Sequence, residues 1–341
     1  MSTRPSVDPR ARDAVFPRRA ALAGLLASAA LPSASAQTLA RTESLTDRPF
    51  TLMVPFSPGT TIDVFARLIS EHLRRRLGAV AAVENRVGGS GTIATQIVAR
   101  AQPDGHTLLV TTNTFVTTPS LIPGLTYDPI SDFAPVSNLA SAPLALCVHP
   151  SLPAEAVAAF VTLAREQPGR IDYASAGNGS PQHLAMALLS RATGIQLTHV
   201  PYRGSAGALQ DLAAGTVPAM MVPVNSAVPL RQDGRVRILA VTSRTRAEIA
   251  PDVPTLAEAG YPGLEMDLWF GLLAPARTPP AIINRLNEEI ALMLQDPSVM
   301  RLMREQALVS AAGPPGDFGA FLINERDQWA KVIREANITA D

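Results

Sequence analysis

The stretch that decides the fold is Val54-Pro55-Phe56-Ser57-Pro58-Gly59-Thr60-Thr61-Ile62-Asp63. Residues 51–54 are apolar and β-prone. Pro55 and Pro58 then forbid further ladder pairing, and Gly59 permits a sharp turn. Beyond it Ile62, Phe65, Ala66, Ile69, Leu73 and Leu77 recur every three or four residues, the apolar stripe of an amphipathic helix. Thr60 is the expected N-cap, and Asp63 stands where a capping-box carboxylate reaches back. A strand that turns through glycine into a helix leaves unpaired amides and a positive dipole end at the turn, which suits an anion. One such turn is commonplace and need bind nothing; here the construction recurs.

From residue 50 onward, short β-prone runs alternate with helical patterns. A strand at 79–84 leads into Asn85-Arg86-Val87-Gly88-Gly89-Ser90-Gly91, and the helix behind it carries Ile93, Ala94, Ile97, Val98 and Ala101 on one face. Residues 106–112 read as a fully buried third strand, and 117–135 as irregular. Further strands are expected at 134–139, 144–149, 171–174, 197–200, 217–222, 236–241 and along the apolar run 268–275. Helices are expected from Pro153 to Ala164, after Ser180, over 206–213, briefly from Asp252, and over 279–295, 297–305 and 318–336. The alternation predicts an α/β fold with a largely parallel sheet, and 341 residues suggest about two domains. The simplest arrangement sends the chain out near 144–149 and back near 268–274. Lobe 1 would then be 48–143 with 272–341, and lobe 2 would be 144–271. Two crossover segments join them, the final helices cover lobe 1, and the ligand sits between the lobes at strand ends.

Lys plus Arg and Asp plus Glu balance at 29 each, so no basic field for nucleic acid or anionic lipid exists. The single cysteine, Cys147, lies in the apolar run Leu144-Ala145-Leu146-Cys147-Val148 and reads as a small buried hydrophobe. At the N-terminus Arg18-Arg19 precede an apolar run over 20–31, too short for a comfortable membrane span. Ala34-Ser35-Ala36 gives the small-x-small pattern of a cleavage site. Residues 1–36 therefore read as a signal peptide, by the general secretory or the twin-arginine route, and 37–47 as a flexible leader. The mature protein is expected to be soluble and exported.

Four glycine-bearing turns end a strand and open a helix: at Gly59, at Gly88 to Gly91, at Gly177 to Gly179, and at Gly204 to Gly207. Glycine lets backbone N–H groups approach a ligand closely, so two turns from each lobe would form an anion cradle supported by hydroxyls of Thr60, Thr61, Ser90, Ser180 and Ser205. Enzyme readings find less support. Gly89-Ser90-Gly91-Thr92-Ile93-Ala94 fits a dinucleotide fingerprint, but the next strand ends in Val110-Thr111-Thr112 without the ribose-binding acid. The five histidines show no metal-ligand spacing. Ser180 and His183 lack a nucleophile elbow, so His183 is expected to cap or pack. No cofactor and no metal are expected.

The residues now become recognisable. Pro55-Phe56-Ser57-Pro58-Gly59 with Asp63, Glu84-Asn85-Arg86, Pro103-Asp104-Gly105-His106, Tyr173-Ala174-Ser175-Ala176-Gly177-Asn178-Gly179-Ser180 with His183, Pro201-Tyr202-Arg203-Gly204, Pro251-Asp252-Val253-Pro254-Thr255 and Trp269-Phe270-Gly271-Leu272-Leu273-Ala274-Pro275 stand in one order. Together they resemble the Bug-type extracytoplasmic solute receptors, the binding proteins of tripartite tricarboxylate transporters, over nearly all of the chain after the leader. The resemblance implies a type II-like periplasmic binding protein, not an enzyme, closing two α/β lobes on a small carboxylate and passing it to membrane permease subunits. It implies a ligand site of Phe56, Ser57, Gly59, Thr60, Thr61 and Asp63 with Ser90 and Asn113 from lobe 1. From lobe 2 come Gly177, Asn178, Ser180, Tyr202 and Arg203.

Two departures stand out. Thr60 replaces a glycine usual in the family. After Gly215-Thr216-Val217 the family usually carries an acid that pairs with an amino group, and Val222 occupies the position aligned with it here. The expected ligand is therefore a carboxylate without an amine, aromatic or aliphatic, with Val222 and the Met220–Val222 edge giving it apolar contact, and the expected state a monomer. A solute sensor coupled to a membrane signalling partner is the alternative reading, and a hydrolase or isomerase on the same fold a further one.

Overall fold

The computed structural model describes residues 47–202 and 204–339, all within one compact unit. The expected signal peptide, the leader as far as residue 46, and Arg203 lie outside the described residues.

Strands β1 (Phe50–Val54), β2 (Ala81–Asn85) and β3 (Thr107–Thr112) pair in parallel in the order β2-β1-β3. Each is followed by a helix: α1 (Thr61–Leu77), α2 (Thr92–Ala99) and α3 (Thr114–Leu121). β4 (Phe133–Val148) runs on toward a second set, in which β5 (Asp172–Ser175), β6 (Thr198–Pro201) and β7 (Ala219–Pro223) are parallel in the order β7-β5-β6. Helices α4 (Val157–Glu166), α5 (Pro181–Thr193), α6 (Ser205–Ala214) and α7 (Val224–Gln232) accompany these strands, and β8 (Arg237–Val241) follows. β9 (Asp267–Pro275) returns antiparallel between β3 and β4. The chain ends with α8 (Pro280–Leu294), α9 (Pro297–Glu305), β10 (Val309–Ser310) and α10 (Pro315–Glu335). This is the two-lobed α/β architecture of a type II periplasmic binding protein.

One strand belongs to both lobes. β4 pairs with β9 as far as Pro143 and with β7 and β8 from Leu144 onward. The sequence predicts two strands here, at 134–139 and 144–149. The structure makes one strand of 16 residues. Register shifts near Pro135 and after Asn138 absorb the irregularity, and Pro143 falls where the pairing partners change.

β1 and β3 are buried on both faces, as central parallel strands require, while β2 at the edge is partly exposed. Phe50, Leu52 and Val54 face Phe65, Ile69 and Leu73 of α1 and Leu286 and Ile290 of α8. Met53 and Leu109 point the other way, into a cluster with Ala94, Val98 and Phe115. Each fully buried aliphatic or aromatic side chain contributes roughly 1.5–3 kcal/mol.

The final helices pack on the first lobe, and the last of them, α10, reaches the second lobe as well. At 21 residues that helix is about 31 Å long, and it packs Phe318, Leu322, Trp329, Val332 and Ile333 into a cluster shared by Phe115 of the first lobe and Leu184 and Leu188 of the second. Glu335 near its end pairs with Arg191 of α5.

Residues 117–135 are not wholly irregular, since α3 and its internal Pro119 occupy the start. The buried side chains of α3 include Thr117 and Thr118, which masks its periodicity. The short helix expected from Asp252 does not form. Thr255 and Glu258 close a capping box, with Thr255 N–H donating to Glu258 Oε2 at 2.8 Å and Glu258 N–H to Thr255 Oγ1 at 3.0 Å. Gly260, at φ 94°, and Pro262 then stop the chain from continuing.

Candidate functional site

In each lobe the parallel strands end where helices begin. Val54, Asn85 and Thr112 close β1, β2 and β3 just ahead of α1, α2 and α3; Ser175, Pro201 and Pro223 do the same ahead of α5, α6 and α7. The N-termini of six helices are thus grouped by topology at the carboxyl ends of two parallel sets, the position where open α/β sheets receive ligands.

The first-lobe turn is built around Asp63. Gly59 N–H donates to Asp63 Oδ2 at 2.9 Å, Arg67 donates to both carboxylate oxygens at 2.9 and 3.2 Å, and Asn85 Nδ2 donates to Oδ1 at 3.0 Å. The Arg67 hydrogen bond, with those from Gly59 and Asn85, holds the Asp63 carboxyl below its usual range against the opposing effect of burial. The capping box expected from the sequence is therefore displaced by one residue, onto Gly59 rather than Thr60. The Thr60 hydroxyl turns back to the carbonyl of Ser57 at 2.9 Å, and no side chain caps α1. Phe56 is half-buried and its carbonyl accepts from Asn85 Nδ2 at 2.9 Å. Ser57 is exposed, and Thr61 opens α1 half-exposed.

The second turn lies against the first, because a Cβ on Gly91 would meet Pro55 at 3.1 Å and Phe56 at 4.0 Å. Ser90 is exposed and left-handed at φ 54°, between Gly89 at 55° and Gly91 at 95°. Asn113 follows β3 and stands at the start of α3. It is fully buried, and its amide is committed: Oδ1 accepts from Trp269 N–H at 3.1 Å and Nδ2 donates to the Asp267 carbonyl at 3.1 Å. Its amide ties the start of α3 to the returning strand.

In the second lobe Gly177, at φ 128°, lies close to the Tyr202 carbonyl, which a Cβ would approach to 3.2 Å. Ser180 caps α5 by accepting from His183 N–H at 3.3 Å, and Asn178 is half-buried between them. Tyr202 donates to Asp211 at 2.6 Å, and burial with that acid pushes its phenol up to about 12. Gln182 Nε2 reaches Ser205 Oγ at 3.4 Å and links two helix starts. Val222 is fully buried in the second-lobe core with Ala145, Met220 and Val224. Between the lobes, Gly179 abuts Leu121 at the end of α3.

Beneath the Gly177 to Ser180 turn lies a group that sequence spacing does not reveal. His183 stacks on His199 with ring centroids 3.8 Å apart, and Tyr173 stacks on His199 at 4.9 Å. Gly179 N–H donates to His183 Nδ1 at 3.2 Å, and burial followed by the neighbouring His199 pushes His183 down to about 4. Ser175 Oγ lies 2.7 Å from His199 Nε2, outwardly a nucleophile and base. Ser175 is fully buried, however, and its hydroxyl also bonds both backbone polar groups of Gly177. It supports the turn. A concavity of about 290 Å³ against His72, Arg75, Arg76 and Leu292 lies at the opposite end of α1 from the glycine turn.

Residues 65–338 match the family model described as the tripartite tricarboxylate transporter family receptor, TctC. The chain belongs to this family. A relative from Pseudomonas sp. strain P51, the UPF0065 protein in the tcbD–tcbE intergenic region, is 38% identical over 95% of this receptor and 96% of its own length. The solved structure of Rpa4515 of R. palustris with adipate is 38% identical, with a TM-score of 0.75, over 86% of this chain and 99% of that one. MatC of Rhodopseudomonas palustris with bound malate is 33% identical, with a TM-score of 0.72, over 84% and 99%. The receptor is thus a transport protein and not an enzyme.

Proposed function

We propose that this receptor captures a small carboxylate without an amino group between its lobes, in the periplasm, and hands it to the membrane permease subunits of a tripartite transporter. The observation that carries the reading is the start of α1: no side chain caps it, so the amides of its first turn remain for an anion. Relatives that hold adipate and malate, both without an amine, point the same way. β7, Ala219–Pro223, carries no acid that would pair with one. In this reading Gly59, Thr60, Thr61 and Ser90 meet the ligand from the first lobe, and Gly177, Asn178, Ser180, Tyr202 and Arg203 from the second. Asp63, Asn113 and Val222 act from behind the site. The lobes are 48–143 with 272–341, and 144–271, with residues 267–271 the part of the return that already pairs with first-lobe strands. The mature receptor works as a monomer after loss of residues 1–36.

Calorimetric titration with adipate, malate, benzoate, aspartate and glutamate tests the reading. Preference for an acid without an amino group is expected, and preference for aspartate or glutamate would overturn it. Mass spectrometry of the small molecules that co-purify with the receptor identifies the natural ligand.

A further inference from the structure

Asp63 is 2% exposed, in the first turn of α1. Two carboxylate oxygens offer about four acceptor positions, and four donors fill them: Gly59 N–H and Arg67 Nε on Oδ2, an Arg67 terminal N–H and Asn85 Nδ2 on Oδ1. A carboxylate so engaged has no acceptor position left and no proton to give, so it cannot grip a ligand oxygen. A second carboxylate brought near it would be repelled.

What Asp63 grips is the chain. It fixes the amide of Gly59, a residue held at φ 85°. Asn85, bonded to the same acid, fixes the carbonyl of Phe56 at the other side of the turn. Both ends of the turn are tied to one buried group, while the Thr60 hydroxyl is drawn back to Ser57 and away from the helix start. Arg67, one turn along α1 and 58% exposed, sets a positive charge against the acid from the solvent side.

We propose that Asp63 is a positioning residue: it holds the turn at residues 55–60 in its ligand-accepting form before a ligand arrives, and Arg67 cancels the charge that would repel a carboxylate at the same helix start. The proposal rests on the carboxylate-receptor reading and deepens it. A turn already ordered loses less conformational freedom on binding, so affinity follows the integrity of the tie.

The test uses the full mature receptor and the variants Asp63→Asn, Asn85→Ala and Arg67→Met. Hydrogen–deuterium exchange without ligand is read first. Asp63→Asn is expected to speed exchange of the peptide covering 56–61 at least ten-fold, with 65–77 within two-fold of the wild type. Asn85→Ala should give a smaller rise in the same peptide, and it carries this arm if Asp63→Asn does not fold. Affinity is then read with adipate, or whichever of the five acids binds the wild type tightest, at 20 and 500 mM salt. Asp63→Asn should weaken binding at least ten-fold at both. Arg67→Met should weaken it at low salt, and its ratio to the wild type should recover several-fold at high salt as the exposed repulsion is screened. A purely structural role would produce no such recovery. Unchanged exchange in the 56–61 peptide, with or without lost affinity, overturns the proposal, as does an Arg67→Met defect indifferent to salt. If the wild type binds none of the five acids, affinity is read with the acid that co-purifies with it, while the exchange measurement by itself decides whether Asp63 holds the turn.

Discussion

His183 makes the stability of the receptor acid-sensitive, and the size of the effect follows from its surroundings. The ring is 8% exposed, stacked on His199, and accepts the Gly179 amide at Nδ1, which requires that nitrogen to be unprotonated. Its pKa falls from 6.5 to about 4 on folding. Between those values the unfolded chain binds more protons than the native one, so stability falls as the pH is lowered through the window. The drop from 6.5 to about 4, at about 1.36 kcal/mol for each tenfold change in acidity, removes roughly 3 kcal/mol by pH 4, with about 2 kcal/mol already lost at pH 5. His183→Gln retains a hydrogen-bonding amide and cannot titrate. Urea unfolding at pH 7.5 and pH 5 should show the wild type losing about 2 kcal/mol more than the variant between the two conditions. Equal losses in the two proteins would refute the assignment.

Asp267 behaves in the opposite sense. Burial pushes its carboxyl up from 3.8 to about 6, so its ionisation opposes folding above pH 6 and is relieved as the pH falls toward 4. Asp267→Asn should raise stability at pH 7.5 by about 1–2 kcal/mol, allowing for solvent that reaches the half-buried side chain, and the gain should vanish at pH 4 by urea titration. At Gly179, φ is 69° and a Cβ would stand 2.2 Å from Leu121 Cδ1. Gly179→Ala should cost about 1–3 kcal/mol in thermal unfolding, and Leu121→Ala added to it should restore the part due to the clash but not the part due to φ. Cys147 is fully buried and its thiol is pushed up by that burial, so maleimide should leave the native protein unlabelled and react once urea unfolds it.

Sequence patterns carry much of this molecule because most of its elements announce themselves locally. The period of Ile62, Phe65, Ile69 and Leu73 is that of a helix on a sheet, and those side chains are buried in α1. The glycine turns are equally local, each needing a backbone that other residues resist. What escapes is whatever depends on distant partners. Nothing around Pro143 says that one strand will exchange β9 for β7 and β8 there. Asp63 looks like a capping or ligand-facing acid until Asn85, from another strand, is seen to share it. Asn113 sits at the right strand end to meet a ligand, but Trp269 and Asp267, far along the chain, claim its amide. His183 and His199 lie on different elements, and only the fold stacks them.

The strand shared by both lobes also dictates an order of assembly. β5, β6, β7 and β8 all lie between β4 and β9 in the chain, so the second lobe has its strands in hand before β9 is synthesised. The first lobe must wait, because β3 meets β4 only through β9, and α8 and α10 arrive later still. Contacts of such long sequence separation form slowly. A nascent chain emerging from its N-terminus therefore holds every strand of its inserted half before β9 can cover the edge of β3, and α10, which packs on both lobes, reaches them last, the interval in which a chaperone has most to protect.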